Sequence, residues 1–102
     1  MSTKDFLNKI KLAVKSVDEQ AEIVLFGSRA RGDHKGDSDW DILILTKKQV
    51  DVKLKNNILD KVYDLELEHA QAISTMIVDR QRWEKMAITG FYENVLNEGK
   101  AL

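Results

Sequence analysis

Phe6, Ile10, Ala13, Val14 and Val17 recur at three- and four-residue spacing, which predicts an amphipathic helix from about Thr3 to Val17. Ser2 or Thr3 can cap its start. Glu22 to Phe26 is a short β-branched and aromatic run that ends at Gly27, the pattern of a buried strand. Ser28 to Ser38 is rich in Gly, Asp, Arg and Lys, and predicts a helical turn over Ser28 to Arg31 followed by a loop held by Gly32 and Gly36.

A second strand is expected from Asp39 to Leu45. Its alternation sends Asp39, Asp41, Leu43 and Leu45 to one face and Trp40, Ile42 and Ile44 to the other. Leu54, Ile58, Val62 and Leu65 or Leu67 mark a long helix from about Asp51 to Ala70, and Ile73 to Val78 reads as a third strand. Two short helices, about Gln81 to Met86 and Gly90 to Glu98, close the chain, with Gly99 as the stop of the second. This order predicts an α/β or α+β domain, a small mixed sheet flanked by helices. A single domain over residues 1–102 is expected, with no internal repeat or linker.

Composition narrows the function classes. Of 102 residues, 43% are hydrophobic and 32% charged, ordinary for a globular chain and unlike a disordered one. The formal net charge of −1 gives no general drive toward nucleic acid or anionic membranes, so polyanion binding must be local. The chain has no cysteine, which excludes disulfides and thiolate zinc sites. No apolar run approaches the ~20 residues of a membrane span, and the N-terminus carries no signal-peptide pattern. A cytoplasmic protein is the expectation.

The chemistry concentrates between Gly27 and Asp41. Gly27 permits a sharp exit from its strand and lets a phosphate approach the backbone without a Cβ in the way. Ser28 opens a turn whose free N–H groups favour an anion, and its hydroxyl can reach a terminal phosphate oxygen. Asp39 and Asp41 leave one strand face roughly 7 Å apart at the Cα level, able to share one or two Mg²⁺ ions that keep most ligands as water and phosphate. Arg29 and Arg31 are placed to neutralise phosphate charge, or to pair with Asp39 or Asp41 when no metal is present.

Gly27-Ser28-Arg29-Ala30-Arg31-Gly32, followed ten residues after Ser28 by Asp39-Trp40-Asp41, resembles the signature of the DNA polymerase β-like nucleotidyltransferase superfamily. The similarity is to its small stand-alone branch, the minimal nucleotidyltransferases, and within it to the antitoxin members of HEPN/minimal nucleotidyltransferase pairs. It covers nearly the whole chain. The resemblance implies transfer of a nucleoside monophosphate from an NTP, ATP first among them, to a hydroxyl on a protein or RNA acceptor, with Mg²⁺ or Mn²⁺ at Asp39 and Asp41. It implies Gly27, Ser28, Arg29 and Arg31 as nucleotide-binding residues, and a HEPN-type helical partner or a homodimer to complete acceptor recognition.

The family pattern also calls for a third carboxylate on a later strand, acting as a base toward the acceptor hydroxyl. Here the later strand contains no acid inside it, and Ser74 stands where that carboxylate is expected. Asp79 lies on the opposite alternation and reaches the site only if the strand bulges, while Glu66 and Glu68 are expected to face solvent. A nucleotide-binding module that docks a partner without transferring anything is the rival reading.

Blander roles stand beside several of these. Asp39 and Asp41 alone are compatible with a solvated strand entry, and the glycine–serine turn at matching distance is what argues for chemistry. Arg29, Arg31, His34 and Lys35 interleave with Asp33 and Asp37, as a solvated loop does. His34 has no second ligand at metal spacing. Trp40 is expected to pack under a helix, and Trp83, Phe91 and Tyr92 to pack in the core or against a partner.

Overall fold

The computed structural model describes residues 2–102; Met1, the start of the expected domain span, lies outside them. Among the described residues, five helices and four strands follow the order α1 (Thr3–Lys15), β1 (Glu22–Phe26), α2 (Ser28–Arg31), β2 (Trp40–Thr46), α3 (Val52–His69), β3 (Ile73–Asp79), α4 (Arg80–Lys85), α5 (Gly90–Glu98) and β4 (Lys100–Ala101). The strands form one mixed sheet in the order β3-β2-β1-β4. β1 pairs antiparallel with both β2 and β4, while β2 and β3 run parallel, joined by the 18-residue α3. A parallel pair needs a long crossover of this kind.

Local chemistry sets the helix ends. The Ser2 hydroxyl accepts the Asp5 N–H at 3.1 Å to cap α1, and the Asp51 carboxylate accepts the Leu54 N–H at 2.7 Å to cap α3. α3 stops at Ala70, a non-glycine residue in the left-handed conformation at φ 51°. The segment after it is tied down by Glu66, whose Oε2 accepts the Ile73 N–H at 3.1 Å. Glu66 is therefore half-buried and braces the start of β3, against the expectation that it faces solvent. Glu68 is exposed as expected, 3.7 Å from the Lys9 ammonium.

The predicted alternation of β2 divides the core in two. Trp40, Ile42 and Ile44 join Ile23, Leu25 and Ile73 beneath Phe6, Ile10 and Val14 of α1 and Ile58, Val62 and Leu65 of α3. Leu43, Leu45 and Val78 meet Trp83 of α4 and Val95 of α5 on the other face, with Phe26, Phe91 and Tyr92 packed around them. Trp40 packs under α1 as expected, its ring 5.2 Å from that of Phe6, with its N–H donated to Gln71 Oε1 at 3.0 Å. Trp83, Phe91 and Tyr92 are core aromatics, the Phe91 ring edge-on to both Phe26 and Trp83.

β4 is the element that periodicity does not reveal, because two residues carry no alternation to read. It forms where Gly99 ends α5 in extended conformation, at φ −67°. This glycine is needed for space: a Cβ there would overlap the Val95 carbonyl oxygen and come within 2.8 Å of Val24 Cγ1. Among the described residues, no helix is long and apolar enough to cross a membrane.

The fully buried β2 residue Ile44 tests the core. Ile44→Ala should cost about 2–5 kcal/mol of unfolding free energy, whereas Leu67→Ala, on a residue 65% exposed, should stay within about 0.5 kcal/mol. Urea titration followed by circular dichroism reads both.

Candidate functional site

The site lies at the end of the sheet where β1 leaves and β2 enters. Phe26 pairs with Asp41 across the antiparallel ladder, and Asp41 pairs with Ser74 across the parallel one. One row of the sheet therefore reads Phe26, Asp41, Ser74, with neighbouring strands ~4.8 Å apart and side chains on a common face. Asp39 precedes β2 on the same alternation and is exposed, while Asp41 is half-buried.

Gly27 follows Phe26 and turns the chain into α2. Its φ of 74° and ψ of −159° lie in a region essentially restricted to glycine. A Cβ on Gly27 would also overlap Asp41 Oδ2. Two independent constraints, backbone angle and contact with the carboxylate, thus demand glycine at one position. Ser28 begins the single turn of α2, which Gly32 closes in left-handed conformation at φ 87°, its N–H bonded to Ser28 O at 2.9 Å.

The two arginines of the turn part company. Arg29 lies over the Trp40 ring, its guanidinium carbon 4.1 Å from the ring centroid. It donates through Nε to Ser38 O at 3.0 Å and through Nη2 to Gly36 O at 3.2 Å. It pins the Gly32–Ser38 loop against the opposite face of the sheet, so the expectation that it sits beside phosphates does not fit its position here. The cause is Trp40, whose face provides a cation–π seat that bare sequence spacing does not disclose. Arg31 turns the other way. Its Nε meets Asp33 Oδ2 at 3.2 Å and its Nη1 meets Glu98 Oε2 at 3.1 Å. It pairs with these acids rather than with Asp39 or Asp41, and both raise its pKa, Asp33 more than Glu98.

Glu98, the last residue of α5, is the site residue that sequence reading missed. Its Oε1 accepts the Gly27 N–H at 3.2 Å, a bond spanning 71 residues. No motif signals it; the only sequence clue is an acid placed just before the glycine that ends α5.

Asp41 carries the electrostatic strain of the site. Burial first, then the Asp39 carboxylate, raise its pKa above the ordinary aspartate value; Glu98 adds to the rise and Arg31 opposes it. Two mutually repelling carboxylates on one strand face suit a divalent cation. Among the described residues no cluster of three or more acids, histidines or cysteines forms a metal cage. That donor set fits Mg²⁺, which binds through one or two carboxylates and takes its other ligands from water and substrate phosphate.

Ser74 stands beside Asp41 in register and is exposed, so the row has a hydroxyl where a third acid is expected. Asp79 does not supply one. β3 is unbulged, and Asp79 pairs with Thr46 five residues farther along, about 16 Å away. Its carboxylate instead caps α4 by accepting the Arg82 N–H at 2.9 Å. His34 is exposed in the loop.

Residues 7–101 match the protein family described as a nucleotidyltransferase domain. Two proteins of Methanocaldococcus jannaschii, both provisionally named protein adenylyltransferases, are similar along nearly their whole length. One is 32% identical over 99 residues, covering 97% of this chain and 92% of the relative. The other is 34% identical over 96 residues, covering 94% and 90%. Among solved structures, a doubly substituted toxin–antitoxin MntA–HpeT matches with a TM-score of 0.61 at 23% identity, over 92% of this chain and 69% of that one. A toxin–antitoxin structure with AMP-PNP matches with a TM-score of 0.61 at 22% identity, over 98% and 72%. The structural likeness establishes a common fold.

Two measurements probe the site. A raised folded-state pKa means that stability linked to the Asp41 proton is fully present below the ordinary aspartate value and lost as pH climbs through the raised one. At neutral pH the ionised group opposes folding, so Asp41→Asn should raise Tm by a few degrees in metal-free buffer, with the gain shrinking toward about pH 4. Gly27→Ala should lower stability by about 1–3 kcal/mol from backbone strain alone, read by denaturant titration. The double variant Gly27→Ala/Asp41→Ala, which removes the overlap with Asp41 Oδ2 but leaves the backbone strain, should recover only the loss beyond that figure.

Proposed function

The chain belongs to the nucleotidyltransferase domain family, and from this membership we propose that it transfers the nucleoside monophosphate of an NTP, ATP in the first instance, to a hydroxyl on a protein acceptor. The observation that carries the reading is the contact between the Gly27 turn and the Asp41 carboxylate. It brings backbone suited to phosphate against a carboxylate pair suited to Mg²⁺. The names of the two archaeal relatives support adenylyl transfer to protein, and the structural neighbour described with AMP-PNP supports a nucleoside triphosphate as donor.

In this reading Gly27 and Ser28 hold the β- and γ-phosphates, Arg31 supplies positive charge beside them, and Asp39 and Asp41 hold Mg²⁺. Bound Mg²⁺ supplies charge neutralisation for the phosphates and Lewis acidity toward the reacting phosphoryl group. The acceptor oxygen bonds to the α-phosphorus, the bond from that phosphorus to the bridging oxygen breaks, and pyrophosphate leaves. A neutral serine hydroxyl is a poor base at neutral pH. The acceptor's proton therefore passes to water or to a group that the acceptor brings, and turnover is slow.

We propose that a second protein completes acceptor recognition. The toxin–antitoxin neighbours favour a partner of that kind; a HEPN-type helical protein is our choice over a homodimer. We place the protein in the cytoplasm with that partner.

Ser74 favours one rival reading, a nucleotide-binding module that regulates its partner by docking alone. Incubation of the protein with Mg²⁺, ATP labelled at the α-phosphate and cell lysate separates the two. Transfer predicts a labelled protein band, reduced at least about a hundredfold in Asp39→Asn/Asp41→Asn, and increased on the order of a hundredfold in Ser74→Asp if the new carboxylate acts as base. A labelled RNA would move the acceptor class. No label, with Mg²⁺-dependent ATP binding by the pure protein, would leave the docking module.

A further inference from the structure

The donors assigned above to nucleotide phosphate already hold a carboxylate from the far end of the chain. Glu98 Oε1 takes the Gly27 N–H, and Arg31 Nη1 lies 3.3 and 3.1 Å from the two Glu98 oxygens. We infer that Glu98 is a built-in competitor for the phosphate subsite, occupying Gly27 and Arg31 in the nucleotide-free protein and expelled by an incoming triphosphate. The inference rests on the reading of Gly27, Ser28 and Arg31 as phosphate donors.

Three features argue for competition over a passive tie. Gly27 has one N–H, and a carboxylate and a phosphate sharing it would repel each other at hydrogen-bond range. Arg31 does not depend on Glu98 for its orientation, because Asp33 holds its Nε at 3.2 Å. The backbone beneath Glu98 is also pinned. The Gly99 N–H bonds to Val95 O at 2.8 Å, a Cβ on Gly99 has no room, and Lys100 and Ala101 pair with Leu25 and Val24. Expulsion is therefore a rotation of one side chain about a fixed anchor, which leaves β4 and the core in place.

Position also excludes a different role. Glu98 reaches the site over β1, at Gly27, whereas Ser74 flanks Asp41 from β3, and β2 lies between them. Glu98 therefore faces the phosphate side of Asp41 and does not replace the acid missing on the β3 side. Its charge adds to the negative field on Asp41. Displacing it thus frees two phosphate donors and removes an anion from beside the carboxylate pair. A nucleoside monophosphate, which has no β- or γ-phosphate to offer, gains nothing from the exchange.

Calorimetric titration of the full chain, with Mg²⁺ present and AMP-PNP or AMP as ligand, tests this on wild type, Glu98→Ala and Glu98→Gln. Competition predicts AMP-PNP binding about tenfold tighter in Glu98→Ala, a smaller gain in Glu98→Gln, and no change for AMP. Glu98→Gln keeps size and a carbonyl acceptor for Gly27, so it decides the matter if the alanine variant fails to fold. Wild-type binding of AMP-PNP with equal or weaker binding by the variants overturns the competitor and leaves the proposed function standing. No binding of AMP-PNP by any of the three overturns both.

Discussion

The Asp41 carboxylate packs on the Gly27 backbone with no room for a Cβ between them. The contact requires β1 and β2 to pair in one register, with Phe26 opposite Asp41. A shift by a single residue would turn every β2 side chain to the other face. Register is secured by the two-sided core, since Trp40, Ile42 and Ile44 must bury under α1 and α3 while Leu43 and Leu45 bury under α4 and α5. The apolar residues of β2 thus locate the acids at its start.

That arrangement leaves the site electrostatically unsettled. Burial, Asp39 and Glu98 all push against ionisation of Asp41, and Arg31 opposes them. Local strain of this kind at a site, supported by a well-packed remainder, is how folds hold functional groups that would not choose to be together. The mixed sheet gives the support here: β1 and β2 are interior strands, and the long helix α3 covers the parallel pair from one side. The proposed Mg²⁺ and the phosphates of its nucleotide would relieve the strain from opposite directions, one answering the carboxylates and the other the guanidinium and amide.

Much of the frame was legible before folding. The alternation from Trp40 to Leu45, the helical spacing of Ile58, Val62 and Leu65, and the turn residues Gly27 and Gly32 each report a short-range rule, and every major element lies within a few residues of its expected place. The family pattern makes Ser74 the stand-in for a third carboxylate on the later strand, and the parallel register sets it opposite Asp41. Other expectations and gaps needed tertiary information. Arg29 reads from the turn as a neighbour of phosphate, but it lies over the Trp40 face. Glu66 reads as solvent-facing from its helix position, but its carboxylate accepts the Ile73 N–H. β4 was too short to carry a pattern, and forms because Gly99 lets the chain close against Val24.

Sequence by itself determined every secondary element but β4, the inward and outward sets of β2, and the glycine–serine turn set ten residues before a pair of aspartates. These follow from periodicity and backbone preference, which act over a few residues and are written locally. Tertiary structure alone decided which charges meet. Glu98 and Gly27 are 71 residues apart and bond because β4 folds back along β1. Arg29 and Arg31 are near neighbours of one composition, sent to opposite faces by what the rest of the chain places there. Hydrogen bonds and ion pairs depend on distance in space, and a linear chain records that distance only once it has folded.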